Sequence, residues 1–252
     1  GVLGASMVEY LALHGAKMAV LARNKEKGDT LIESIRSKGG DALFLQTDVT
    51  DEAVLKQNAE AIIGRYGKID ALINGAGGNM PGATIGPNNT IFDLKMDDFR
   101  KVVDLNLMGT VVPTIVFTEY MVKEKKGNII NISSASALRP LTRIAGYSSA
   151  KAAVTNFTKY MAGELAIKFG EDFRVNALCP GFFITEQNRN LLTNPDGTYT
   201  DRGNTIIAHT PFRRFGDPED LLGTLHYLVS DASKFVTGTV AIVDGGFDAF
   251  SI

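Results

Sequence analysis

The stretch Tyr147-Ser148-Ser149-Ala150-Lys151 sets a phenol and an ammonium four residues apart, so on a helix both project from one face. A phenol with a pKa of about 10 exchanges protons poorly at neutral pH, and a neighbouring cation favours its ionised form. Lowering that pKa by about 3 units takes roughly 4 kcal/mol, more than one exposed ion pair supplies. The pair therefore reads as an acid/base couple that needs partial burial and a second, ligand-borne cation beside it. Ser134, just after the apolar run from Ile129 to Ile132, offers a hydroxyl to an oxygen on a reacting carbon. Asn106 interrupts a helical segment over 97–124, where an amide is a poor helix former.

A second group of residues suits a dinucleotide. Gly1 and Gly4 flank Val2 and Leu3 at the entry to a helix, where free N–H groups and the helix dipole favour a pyrophosphate. The next strand ends at Ala22-Arg23-Asn24, the place where doubly wound folds read the adenosine ribose. Ala22 has no carboxylate for the ribose hydroxyls, whereas Arg23 offers a fork of donors to a 2′-phosphate. NADP(H) is favoured over NAD(H) on that ground. Asp48 is placed to accept from an adenine amino group while Val49 packs on the ring. The small residues of Asn74-Gly75-Ala76-Gly77 let a ribose or nicotinamide approach closely.

Positioning these groups requires a parallel sheet. Short runs rich in Val, Ile and Leu alternate with segments of helical periodicity. Strands are expected near 17–22, 42–46, 69–73, 127–132, 173–178 and 239–243, and helices near 4–14, 25–38, 52–66, 97–124, 147–169 and 218–230. Asp51 and Asp217 stand at N-cap positions, and Gly15, Gly39, Gly67 and Gly170 where helices should stop. No repeat or long linker divides the chain, so residues 1–252 read as one α/β domain, a Rossmann-like doubly wound sheet with helices on both faces. The stretches 77–94 and 181–216 follow strands and are expected to wall a site. Because the chain opens directly into a helix, a first strand and its glycine turn, about 10–20 residues, are expected ahead of Gly1.

The 252 residues carry 26 Lys+Arg against 28 Asp+Glu, a net charge of -2 that argues against a nucleic-acid or membrane-surface partner. The single cysteine, Cys179, cannot close an intrachain disulfide; it follows an apolar strand and reads as buried and inert. No cysteine/histidine cluster suggests zinc. The apolar runs fall short of the roughly 18 residues of a membrane span, and the start is unlike a signal peptide, so a cytoplasmic protein is expected.

Taken together, the glycine remnant at 1–4, Asn-Gly-Ala-Gly at 74–77, Asn106, Ser134, Tyr147 with Lys151, and Pro180-Gly181 with Phe183 and Thr185 resemble the short-chain dehydrogenase/reductase family, in that family's order. The resemblance implies hydride transfer to or from a carbonyl. Tyr147 would be the acid/base and Ser134 would steady the oxyanion. Lys151 would bind the nicotinamide ribose and lower the Tyr147 pKa, and Asn106 would hold a relay water. Thr185 would contact the nicotinamide carboxamide, and the family implies a homotetramer. Val2 stands where many members have glycine, and Gly75 follows Asn74 where alanine is commoner; neither removes a catalytic group.

The lid region 182–216 is similar to a subgroup acting on sugar acids, D-mannonate oxidoreductase or fructuronate reductase. Such a substrate presents hydroxyls and a carboxylate, for which Asn79, Arg139, Gln187, Asn188 and Arg189 are suitable donors alongside Ser134. The alternative for Arg139 and Arg143 is a solvated surface position, and Arg214 reads as an anchor of the loop to the following helix. Rival readings are a reductase of a 3-oxoacyl thioester or a ketogluconate, and a cofactor-sensing binding protein without turnover.

Overall fold

The computed structural model describes residues 1–186 and 188–250. Among them, strand β1 (Lys17–Ala22) pairs in parallel with β2 (Asp41–Gln46). A second parallel sheet runs in the order β3 (Ala71–Asn74), β4 (Gly127–Ile132), β5 (Phe173–Pro180) and β6 (Val240–Val243). No ladder joins β1 to β3 among the described residues, yet the two share both cores. Ala19 and Leu21 meet the cluster that holds Leu72, and Met18 meets the one that holds Ile73.

Helices cover both faces because each crossover between parallel strands needs one. They are α1 (Val2–Leu13), α2 (Lys25–Ser37), α3 (Glu52–Tyr66), α4 (Met96–Val103), α5 (Gly109–Lys123), α6 (Ala145–Phe169), α7 (Arg189–Leu192), α8 (Asp201–Ala208) and α9 (Leu222–Val229). Parallel pairing brings the carboxyl ends of the strands to one edge, which is where the expected site residues lie. The start of α3 is fixed by Asp51, whose carboxylate accepts from the Val54 N–H at 3.1 Å, and its end by Gly67 at φ 86°, a conformation that penalises a Cβ.

The segment expected as one helix over 97–124 is divided. A π turn, Asp104–Met108, separates α4 from α5. Asn106 Nδ2 donates to the Val102 carbonyl at 2.8 Å, competing with the main-chain ladder, and the Gly109 N–H reaches back five residues to Asp104. Within the helical run Met96–Lys123 an 18-residue window reaches a mean hydropathy of 1.3, the length and composition of a membrane span, which corrects the expectation that none would. It is a core helix: Val116, Phe117 and Met121 join the cluster of Leu55, Ile62, Met161 and Leu165 from α3 and α6.

The 182–216 region carries α7 and α8, which the sequence reading left without elements. Leu192, Ile206 and Phe215 give it a small core of its own. The C-terminal segment seals it: the Phe212 N–H donates to the Gly245 carbonyl at 3.1 Å, and Gly246 lies against Pro211.

Candidate active site

Helix α6 carries Tyr147 and Lys151 on one face, with Lys151 Nζ 5.8 Å from the centre of the Tyr147 ring. Lys151 is only 3% exposed, and its Nζ donates to the Ile132 carbonyl at the end of β4 at 2.8 Å. Burial pushes its ammonium down to about 8. An ammonium has three N–H donors, so two remain for a ligand. Tyr147 keeps partial exposure, but burial pushes the phenol above its ordinary range, while the nearby Ser134 hydroxyl pulls it down. Partial burial thus works against ionising the phenol, opposite to the contribution expected from the sequence. Ser134 ends β4's extension and caps the turn Ala135–Ala137, its Oγ accepting from the Ser136 N–H at 3.2 Å.

Asn106 is fully buried. Its Nδ2 donates to the Gly78 carbonyl at 2.7 Å and to Val102 at 2.8 Å, and its Oδ1 accepts from the Gly78 N–H at 3.2 Å. Both donors and one lone pair are therefore engaged, leaving one lone pair of Oδ1 for a water. This clamp fixes the loop after β3. A Cβ on Gly77 would fall 2.7 Å from Asn106 Oδ1 and 3.2 Å from Lys151 Nζ, so Gly77 is the residue that lets this loop lie against both.

The other expected residues divide by what already holds them. Asn74 is buried, and its amide donates to Thr114 Oγ1 and Asn131 Oδ1, both at 2.8 Å, joining β3, β4 and α5; its side chain faces the protein rather than a ligand. Asn188 staples its own loop, accepting from the Thr185 N–H at 2.7 Å and donating to the Phe183 carbonyl at 2.8 Å. Phe183 is buried against Gly216 and the core of β5 and α9. Arg139 is turned to the C-terminal segment, donating to the Phe250 carbonyl at 2.9 Å and pairing with Asp248 at 3.2 Å. Asn24 caps α2 through the Lys27 N–H at 2.8 Å. Asn79 donates to Thr84 Oγ1 at 2.9 Å, and Arg189 is exposed at the start of α7. Gln187 lies outside the described residues. Arg214 anchors the following turn through Asp220 at 2.6 Å, as the sequence suggested.

At the strand ends, Asp48 Oδ1 accepts from the N–H and hydroxyl of Thr50 at 2.9 and 2.7 Å, which with Arg23 nearby holds its carboxyl below the usual range. Val49 packs on Gly109 at the start of α5. Gly181, following Pro180, donates its N–H to Val243 at 2.9 Å and lies so close to Asp244 that a Cβ would collide with it. Sequence reading missed one contact across this edge: Lys27 Nζ of α2 reaches Glu186, after β5, at 2.8 Å. Nothing in their spacing of 159 residues foretells it.

A nicotinamide cofactor fits these residues. The first N–H of α1 to find a helical carbonyl is that of Ala5, so those of Val2, Leu3 and Gly4 are free for phosphate oxygens, and a Cβ on Gly1 or Gly4 would meet open space. Lys151 holds its spare donors where Gly77 permits close approach. Fold and site together define an α/β class suited to a dinucleotide, with Ser134, Tyr147 and Lys151 brought together at the carboxyl edge of the sheet.

The comparisons with known proteins agree. The family model described as "Enoyl-(Acyl carrier protein) reductase" matches residues 2–248. The chain is 45% identical over 261 residues to "Uncharacterized oxidoreductase UxuB" of Bacillus subtilis (strain 168), covering 100% of this chain and 92% of that one. A Haemophilus influenzae structure provisionally assigned as a D-mannonate oxidoreductase, with bound NAD, is 41% identical with a TM-score of 0.92, covering 100% of this chain and 92% of that one. A gluconate 5-dehydrogenase from Burkholderia cenocepacia, in complex with NADP and tartrate, is 30% identical with a TM-score of 0.86, covering 99% and 92%. The chain belongs to the short-chain dehydrogenase/reductase family and is an oxidoreductase that uses a nicotinamide cofactor.

Proposed function

We propose that the enzyme interconverts the ketone and secondary alcohol of a sugar acid, reducing D-fructuronate to D-mannonate or the reverse. The observation that carries this reading is the buried Lys151 ammonium beside Tyr147, with Ser134 next to the phenol, in a chain whose 182–216 region resembles in sequence that of sugar-acid enzymes. A bound nicotinamide supplies or accepts the hydride. In reduction, Tyr147 Oη gives its proton to the substrate oxygen and Ser134 Oγ donates a hydrogen bond to the same oxygen. Lys151 holds the ribose with its two remaining N–H groups and, once its charge is set beside the phenol, lowers the cost of the phenolate.

Arg23, exposed after β1, favours NADP(H), while the relatives hold NAD in one structure and NADP in another. Steady-state reduction of D-fructuronate with NADH and NADPH side by side tests both choices. Tyr147→Phe should abolish turnover, and preference for a 3-oxoacyl thioester would overturn the substrate. Arg23→Glu should shift the cofactor preference toward NADH by about 10-fold or more, as loss of a charged hydrogen bond does. A homotetramer is supported by apolar residues left exposed on the paired helices, Ile115 on α5 and Tyr160 and Ile167 on α6, and sedimentation velocity measures it. The single thiol and the near-neutral charge suit a cytoplasmic enzyme.

A further inference from the structure

Two guanidinium groups, those of Arg202 and Arg143, come together just before α6, and neither is paired with a carboxylate among the described residues. Arg202, in the first turn of α8, donates from Nη1 to Thr142 Oγ1 at 3.2 Å and from Nη2 to the Thr142 carbonyl at 3.3 Å. Its Nε is buried and has no partner among the described residues. Burial depresses the guanidinium's pKa, and the charge that bears on it is that of Arg143, of the same sign. Arg143 stands at φ 76°, a left-handed conformation that a residue with a side chain adopts only when its surroundings impose it. The imposing contact is the Ile85 N–H, which donates to the Arg143 carbonyl at 2.9 Å and ties this turn to the 77–94 wall.

The contrast with neighbouring arginines is informative. Arg139 is neutralised by Asp248 and Arg214 by Asp220, whereas neither Arg202 nor Arg143 forms an ion pair among the described residues. A buried unpaired N–H on a cation costs free energy that an anion would return. The pair also joins the lid to the helix of the acid/base residue: Thr142 and Arg143 lead directly into the first turn of α6, which carries Tyr147, and Arg202 comes from the lid.

We propose that Arg202 and Arg143 form a carboxylate-binding subsite, which seats the acid end of the substrate while its ketone faces Tyr147. Arg202 takes the carboxylate with Nε and its forked edge, and Arg143 closes it from the α6 side. The subsite rests on the sugar-acid reading and supplies its specificity: a ketose lacking the carboxylate leaves both cations unpaired.

The test compares D-fructuronate with D-fructose, a neutral ketose, in the wild type, Arg202→Met, Arg202→Lys and Arg143→Met. The ratio of kcat/KM for acid over neutral ketose should fall about 10- to 100-fold in Arg202→Met, chiefly through KM for the acid, with Arg202→Lys intermediate because it keeps charge without the fork. An unchanged ratio, whether both substrates suffer equally or neither does, overturns the proposal while leaving the sugar-acid reading standing. If the wild type turns over neither substrate, the sugar-acid reading fails, and the subsite is judged by thermal shift with D-gluconate against sorbitol. Stabilisation by gluconate that is lost in Arg202→Met supports it, and equal responses refute it.

Discussion

Truncating Asn106 should damage the apo protein before any chemistry is measured. Its amide makes three hydrogen bonds inside the protein, two to Gly78 at 2.7 and 3.2 Å and one to Val102 at 2.8 Å, and the residue is 0% exposed. Asn106→Ala leaves one N–H and two carbonyls without this partner in the protein interior. At about 1 to 1.5 kcal/mol for each lost bond, the loss is roughly 3 to 5 kcal/mol. For a chain of this size each kcal/mol lowers Tm by about 2–4 °C, so a fall of roughly 6–20 °C is expected by differential scanning calorimetry. Asn106→Asp, nearly the same shape, should not rescue: it turns a carboxylate oxygen toward the Gly78 and Val102 carbonyls, acceptor against acceptor. A Tm loss in Asn106→Ala below about 3 °C, or a stable Asn106→Asp at neutral pH, would refute the clamp and return Asn106 to a role in solvent relay alone.

Three further outcomes follow from the same site. Gly77→Ala should fold but raise KM for the cofactor at least several-fold, because its Cβ meets a clamped Asn106 Oδ1 and the Lys151 ammonium; wild-type cofactor kinetics would contradict that crowding. For Lys151, the folded pKa of about 8 lies below the ordinary 10.5, so the folded chain binds fewer protons between those values and stability rises with pH across that window. The full penalty, about 3 kcal/mol, is present below the lower value, offset in part by the bond to Ile132. In urea unfolding of the apo forms, Lys151→Met should therefore gain most over wild type near pH 7 and lose that advantage as pH rises toward 10, while lacking turnover; a difference constant with pH is the contrary result. Burial, with Asp244 and Asp248 nearby, pushes the Cys179 thiol up to about 12, so the native enzyme should resist thiol-labelling reagents at pH 8 and react only in denaturant. Rapid labelling of the native form would show the strand to be open.

The strands were readable because fully buried parallel strands have to be apolar runs. The bounds of β1 and β4 fall where the apolar runs predict, and β5 continues past 178 only because Cys179 and Pro180 still pair with Ile242 and Val243. Helix ends were readable where a cap has a local mechanism, as at Asp51 and Gly67. The π turn was not, since it depends on where the Asn106 amide finds carbonyls, one of them 28 residues away. The helices of the lid were hidden for a related reason: α7 has four residues and α8 eight, too short for a period to emerge from polar surroundings.

That Tyr147 and Lys151 share a face was legible because a spacing of four on a helix is a statement about direction, whatever surrounds it. The amides and guanidiniums carry no such statement. Asn74, Asn188 and Arg139 have the donors a sugar acid needs, but a donor in a protein is satisfied by whichever acceptor the fold brings nearest, and for these three that acceptor belongs to the chain. Residue type thus announces that a hydrogen bond will be made, and only the folded surroundings tell whether a ligand makes it. Arg202 meets that criterion from the other side: its Nε is enclosed, unpaired and repelled by Arg143, so the chain has desolvated a donor without supplying its acceptor. Among the arginines of this edge, that is the physical difference between a brace and a binding group.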